Sequence, residues 1–315
     1  MNFKNTWQNI STNYSHWLSF GLLLLVASII NPSFLSWSTL SNQFVQGAIV
    51  GICAMGMSLV ISAGMIDLTV GSAVAFTAGM GISVLNKTGS ITLCLLFCLG
   101  AGLIIGLING LLVTKGKIAS FIVTLAAMTA WRSIINQLGQ GGPFTVSYDF
   151  YEPFRAITAG SLFGVPYLMI YLIIITLITH IIMTKTKFGT YIYAVGSNAQ
   201  AARLSGIPVD RVKALVFMYA GLMYGIAAFL LASRLTSIQA ASAGYQYEME
   251  AIAAVAIGGT AMEGGRGKII GTLLGILMLR IIITVMVMAN VPPFLNGLVQ
   301  GVIIIIAVLA QNRKK

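Results

Sequence analysis

Residues 91–114 read ITLCLLFCLGAGLIIGLINGLLVT, a run without one charged side chain. Coiled as an α-helix at about 1.5 Å per residue, it is longer than the roughly 30 Å hydrocarbon core of a bilayer. It reads as a membrane-spanning helix, and comparable runs recur from Leu18 to Ala310. The expected spans are 17–31, 44–63, 68–86, 91–114, 119–138, 165–183, 213–234, 247–261, 269–289 and 296–310. A transmembrane β-barrel would alternate apolar and polar residues, and these segments do not. The fold class is therefore all-α: a polytopic transmembrane helical protein of about ten spans, forming one domain over 1–315. Spans 68–86 and 247–261 are short and glycine-rich, which suits broken or re-entrant helices whose freed backbone groups are covered by protein.

Composition agrees. The chain is 57% hydrophobic and only 8% charged, whereas soluble domains carry about 25% charged residues to solvate their surface. Ten crossings use about two thirds of the length, leaving no room for a soluble catalytic domain. The net charge of +11 would suggest nucleic acid in a soluble protein, but here it follows topology. With the N-terminus in the cytoplasm, Lys4, Lys115, Lys117, Lys185, Lys187, Arg203, Arg211, Lys213, Arg266, Lys268, Arg313, Lys314 and Lys315 all fall on the inner side. Only Lys87, Arg132, Arg155, Arg234 and Arg280 fall outside or within the membrane, so the positive-inside bias puts both termini in the cytoplasm. The basic residues then face anionic lipid, and no nucleic-acid partner is needed. The run Leu18–Ile30 is followed by Asn31-Pro32-Ser33-Phe34, with no small-x-small cleavage pattern, so a retained first helix is expected.

Cys53, Cys94 and Cys98 lie inside apolar runs and read as small packing residues, with no spacing that suggests a metal. His16 and His180 are isolated from any nucleophile or ligand set. Gly100, Gly102, Gly106 and Gly110 recur at close helical spacing, which favours tight helix packing in lipid. The run Gly264 to Lys268 lacks the spacing of a phosphate loop and has Ile269 where Ser or Thr must bind magnesium. Any ATP and magnesium are thus bound by another chain, and this chain holds no cofactor of its own.

Two loops exceed simple turns. The external one, about 139–164, contains Gly141-Gly142-Pro143 and the acids Asp149 and Glu152. The cytoplasmic one, about 185–213, holds a helix-forming stretch, Asn198-Ala199-Gln200-Ala201-Ala202-Arg203-Leu204, stopped by Ser205-Gly206 and Pro208. This helix either lies at the headgroups or docks a separate energy source. Asp67 is placed to cap the following helix or to contact a gate. Arg234, Glu248 and Glu250 fall near span ends, where they form an outer entrance, dock a binding protein, or are simply solvated. Arg280 lies within span 269–289 as an intramembrane polar site, or snorkels to the interface. No acid is placed near the bilayer midplane, which disfavours an ion-coupled carrier.

Three co-linear stretches resemble a known family. Gly64-Met65-Ile66-Asp67-Leu68-Thr69-Val70-Gly71-Ser72 is similar to the G-x-I-D-L-S-V-G-S segment of ribose-type ABC importer permeases. The run Gly189 to Gly206 resembles their cytoplasmic coupling region. Tyr247-Glu248-Met249-Glu250-Ala251-Ile252-Ala253-Ala254-Val255, with Gly258-Gly259-Thr260 and Gly264-Gly265-Arg266-Gly267, resembles their late signature. The resemblance implies a multi-pass inner-membrane subunit with two permease copies, two ATPase subunits and a periplasmic or lipid-anchored sugar-binding protein. It implies that ATP binding closes the ATPase pair and pushes the inner helix, making Asn198, Ala199, Gln200, Ala202, Arg203, Leu204, Ser205 and Gly206 the coupling residues. Members of the family carry pentoses, hexoses or a furanone signalling molecule, and a related branch carries nucleosides. Two departures stand out: Glu250 replaces the usual Asp, and Arg280 stands where a small or apolar residue is expected. The rival readings are an ion-coupled secondary transporter and a gated channel or membrane scaffold.

Overall fold

The computed structural model describes residues 15–292 and isolated positions between 295 and 309, with side chains from Phe20 onward. Lys4, Arg313, Lys314, Lys315, the side chain of His16 and most of the expected span 296–310 lie outside the described residues. Helix α1 (Ser15–Ile30) passes through a 3-10 turn at Pro32–Leu35 into α2 (Trp37–Ser62). Then come α3 (Val70–Thr88), α4 (Ile91–Thr114), α5 (Ser120–Gly139), strand β1 (Pro143–Thr145) and α6 (Tyr148–Ala159). A small hairpin of β2 (Ser161–Leu162) and β3 (Val165–Pro166) leads to α7 (Tyr167–Lys185), α8 (Lys187–Ser197) and α9 (Ala199–Leu204). The described elements continue with α10 (Val209–Leu235), β4 (Ser237–Gln239), α11 (Tyr247–Ile257) and α12 (Ile269–Met288). Strands β1 and β4 pair antiparallel, Phe144 opposite Ile238. They mark one end of the bundle, here the hairpin end; α8 and α9 mark the other.

Five of the described helices, α2, α4, α7, α10 and α12, are long and apolar enough to cross a membrane. The protein is an all-α membrane protein. The segment expected at 247–261 is α11, whose 11 residues are too few to span a bilayer. Its buried part runs from Ala251 to Ala256. Helix α3 starts in the interior, after a connection that begins at Gly64, whose φ of 74° suits glycine.

Three boundaries differ from the sequence reading. Helix α2 starts at Trp37, well before residue 44, because the Ser36 hydroxyl accepts the Thr39 amide hydrogen and caps it. The polar run Ser38–Gln43, outside the expected span 44–63, therefore forms its first turns. The external loop contains α6, and the cytoplasmic loop contains α8 in addition to the expected short helix. Helix α8 is capped by Thr186 and α9 by Asn198, each side chain accepting a backbone N–H in the first turn.

Helix α10 is the hub, packed against α2, α3, α4 and α6. Its tightest partner is α4. A Cβ at Gly102 would collide with the Gly221 carbonyl, one at Gly106 with the Phe217 carbonyl, and one at Gly110 would stand 2.9 Å from Ala214 Cα. The two backbones thus touch directly, the arrangement small residues permit where lipid supplies no hydrophobic drive between helices. Gly100 is the exception: nothing lies within 4 Å of its Cβ position, so it takes no part in the packing that its spacing suggested. All three cysteines are buried and unpaired.

Candidate functional site

Interior polar groups gather where α3 and α11 begin. Asp67 is fully buried. Its Oδ1 accepts the Thr69 amide hydrogen at 2.9 Å and the Thr69 hydroxyl, and its Oδ2 accepts the Tyr224 hydroxyl at 3.1 Å. Asn109 completes the chain by donating from Nδ2 to Thr69 Oγ1 at 3.1 Å. The expected cap is thus displaced: Asp67 holds Thr69, the residue before α3, and bonds none of the free amides in the first turn of α3. The reason is reach, since the carboxylate stands two residues before Thr69 in an extended connection.

Glu248 takes the position at the start of α3. Its carboxylate lies against the first turn of α3, where a Cβ at Gly71 would lie 2.8 Å from its Oε2. It also belongs to the first turn of α11, so one negative charge serves two helix N-termini, where unpaired N–H groups concentrate positive potential. Arg132 stands beside it. One guanidinium nitrogen donates to the Ala240 and Ala243 carbonyls at 2.7 and 2.8 Å, tying down the chain that descends from β4 to α11. Asp67 and Glu248 thus both stand against the interior start of α3. Asp67 is sealed in by its donors and Glu248 serves helix starts.

A second interior group lies between α2, α10, α11 and α12. Arg280 and Glu250 form an ion pair, the side chains only 16% and 13% exposed. At about 1.5 Å per residue Arg280 sits about 12 Å along α12 from Met288, its guanidinium on Glu250. Arg234 donates to Gln46 Oε1 at 2.9 Å and to the Val45 carbonyl at 3.2 Å, while the Thr284 hydroxyl donates to Gln43 Oε1 at 3.0 Å. Of the residues considered for an entrance, the fold brings Arg234 and Glu250 to this group and Glu248 to the first. The 30-residue separation of Glu250 and Arg280 leaves no local signal of their pairing; two opposite charges in adjoining apolar spans were the available hint.

At the α9 end, three glycine-bearing turns interlock. The Gly265 amide donates to the Ser62 carbonyl at 2.9 Å, and the Tyr193 hydroxyl donates to the Gly267 carbonyl at 3.1 Å. Burial raises the Tyr193 phenol above its ordinary value, so it stays a donor. A Cβ on Gly196 would strike the Ser62 carbonyl. Helix α8 is thereby locked to the base of α2 and to the turn between α11 and α12. Helix α9 hangs from it, anchored by buried Ala202 and ended by Gly206 at φ 80°. Gln200, Arg203 and Ser205 are exposed, and Leu204 is 85% exposed, an apolar side chain offered outward. Arg203 pairs with Asp210 at 2.9 Å across a solvated gap.

Comparisons with known proteins fit this architecture. Residues 39–308 match the family described as branched-chain amino acid transport system / permease component. The chain is 40% identical over 293 residues to the ribose import permease protein RbsC of Bacillus subtilis, covering 93% of this chain and 90% of the relative. It is 35% identical to RbsC of Escherichia coli K12, covering 93% and 92%. Over 296 residues it is 33% identical to the L-arabinose ABC transporter permease protein AraH of Azospirillum brasilense, covering 94% and 86%. A bundle of apolar helices with interior polar groups, matched over nearly its whole length, belongs to this permease family, as a multi-pass inner-membrane ABC importer subunit and not an enzyme.

Proposed function

We propose that this chain is the translocation subunit of an ATP-driven importer for a ribose-like monosaccharide. The reading is carried by the 40% identity to a ribose import permease over 93% of the chain. A separate ATPase pair supplies the energy and a sugar-binding protein delivers the solute. A second copy of the chain completes the path, and lipid surrounds the assembly. The hairpin end faces outward and the α9 end faces the cytoplasm. Shorter or less apolar helices, with the segment near 296–310, complete about ten membrane segments, and both termini are cytoplasmic.

In this reading α9 is the docking element, with Asn198, Ala199, Gln200, Ala202, Arg203, Leu204, Ser205 and Gly206 as its coupling residues. Leu204 supplies an apolar knob and Arg203 a polar rim. Force on α9 passes to α8 and then, through the contacts of Gly196, Gly265 and Gly267, to the base of α2 and the α11–α12 turn. Coupling of this kind requires the ATPase to bind one permease state better than another.

Reconstitution with the ATPase and binding subunits is expected to give ribose uptake that depends on ATP and survives collapse of ion gradients. Uptake by the purified chain alone, abolished by an ionophore, would instead establish the secondary-transporter reading. Leu204→Asp is expected to abolish most ATP-dependent uptake while the chain remains folded, because the side chain is exposed. Asp210→Ala is the control: the Arg203–Asp210 pair is 65% and 60% exposed, and such pairs contribute about 0–1 kcal/mol. Normal uptake in Leu204→Asp would remove α9 from the docking role.

A further inference from the structure

Polar side chains of four helices recur along one seam in three separate pairs, Gln43–Thr284, Gln46–Arg234 and Glu250–Arg280. Thr39, Gln43 and Gln46 recur on one face of α2, since steps of four and three return to the same side of a helix. Thr284 and Arg280, four residues apart, share one face of α12. The two faces meet, Gln43 buried to 3% exposure and bonded to Thr284. Arg234 of α10 joins at Gln46, and Glu250 of α11 joins at Arg280. The mouth of the seam is a wide-open depression of about 520 Å³ lined by Ser38, Thr39, Ser41, Asn42, Gln43 and Thr284, with a few apolar neighbours. That volume lies within the usual range for small-molecule sites.

A helix end lying in headgroups would turn its polar residues outward to lipid and water. Here Gln43 is buried against Thr284, and the Arg280–Glu250 pair is largely buried as well, which interfacial solvation does not explain. In a membrane interior, inward-facing polar groups of this kind mark a solute path. The chemistry of the mouth is also specific. Hydroxyls and carboxamides offer donors and acceptors in near balance and no net charge. Below them, Arg280 Nε is buried with no hydrogen-bond partner among the described residues, a spare donor at the foot of the seam.

We propose that this seam is the outer half of the solute path, that its mouth recognises a neutral polyhydroxylated solute, and that the Arg280–Glu250 pair closes its floor. The proposal rests on the importer reading and assigns to it residues that fold and family do not.

The test uses the reconstituted complex with Asn42→Cys, or Thr39→Cys if the first variant does not assemble. Cys53, Cys94 and Cys98 are buried, so the parent protein provides a low background for a membrane-impermeant methanethiosulfonate reagent added from outside. Labelling is expected at the new cysteine, slowed by D-ribose and not by leucine. Gln43→Leu, which removes one buried amide, is expected to reduce ribose uptake roughly three- to tenfold. No labelling at either position overturns the seam as a water-filled path, and that result does not depend on transport. Labelling that ribose leaves unchanged, or that leucine slows, overturns the assignment of solute class. A complex that labels as expected but imports no sugar overturns the proposed function instead.

Discussion

Arg280→Met is expected to destabilise the folded chain by about 3 kcal/mol, toward the lower end of the 3–5 kcal/mol seen when one partner of a buried ion pair is removed. The lower end applies because Arg280 and Glu250 keep 16% and 13% exposure, so some solvent reaches the orphaned carboxylate. The cost arises mainly from leaving Glu250 charged in a water-poor interior, not from losing an attraction. The double variant Arg280→Met, Glu250→Met should therefore recover most of the loss, since neither charge then needs a partner. Thiol-reactive dye in detergent reads both results, because the buried cysteines become reactive only on unfolding. A single variant as stable as the parent would show that the pair is solvated in the folded protein. Equal losses in single and double variants would assign the effect to packing of the Arg280 stem.

The membrane class and the short helix ending at Gly206 were legible because each depends on local composition. A run of apolar residues names its own solvent, and the Asn198 cap and the Ser205-Gly206 stop bound α9 within a few positions. The start of α2 was hidden, since Ser38–Gln43 is too polar to extend an apolar run, although Gln43 is buried against Thr284 of α12. Asp67 and Glu248 show the same limit. Sequence suggests that an acid before a helix caps it, yet the acid standing against the start of α3 is Glu248, far along the chain. Tyr224, which donates to Asp67, and Asn109, which donates to the Thr69 hydroxyl that Asp67 holds, come from two other helices. Glycine spacing was informative for Gly102, Gly106 and Gly110 and misleading for Gly100, because spacing gives a helix face but not what stands opposite it. Such pairings belong to tertiary structure, and a local pattern carries no record of them.

Gly221→Leu is expected to cost more stability than any other single change considered, with little folded protein recovered from detergent. A Cβ at Gly221 would stand 2.9 Å from the Gly106 nitrogen and closer still to the Gly102 carbonyl. These are backbone atoms, which no change of rotamer moves aside, so α4 and α10 must separate. Overpacking in a core costs typically about 1–3 kcal/mol when side chains can yield; here they cannot, and the cost should exceed that range. Separation also affects more than one contact, because α10 packs against α2, α3 and α6 as well. Gly221→Ala should already be harmful, with the loss growing through valine to leucine. Gly100→Leu is the matched control: it lies on α4, its Cβ position is empty to 4 Å, and replacing helical glycine there should be neutral or stabilise by up to about 1 kcal/mol. Monodisperse yield and thermal midpoint, compared across the series, decide the matter. A Gly221→Leu variant that purifies and melts like the parent would mean that α4 and α10 do not meet backbone to backbone, and the hub assigned to α10 would have to be abandoned.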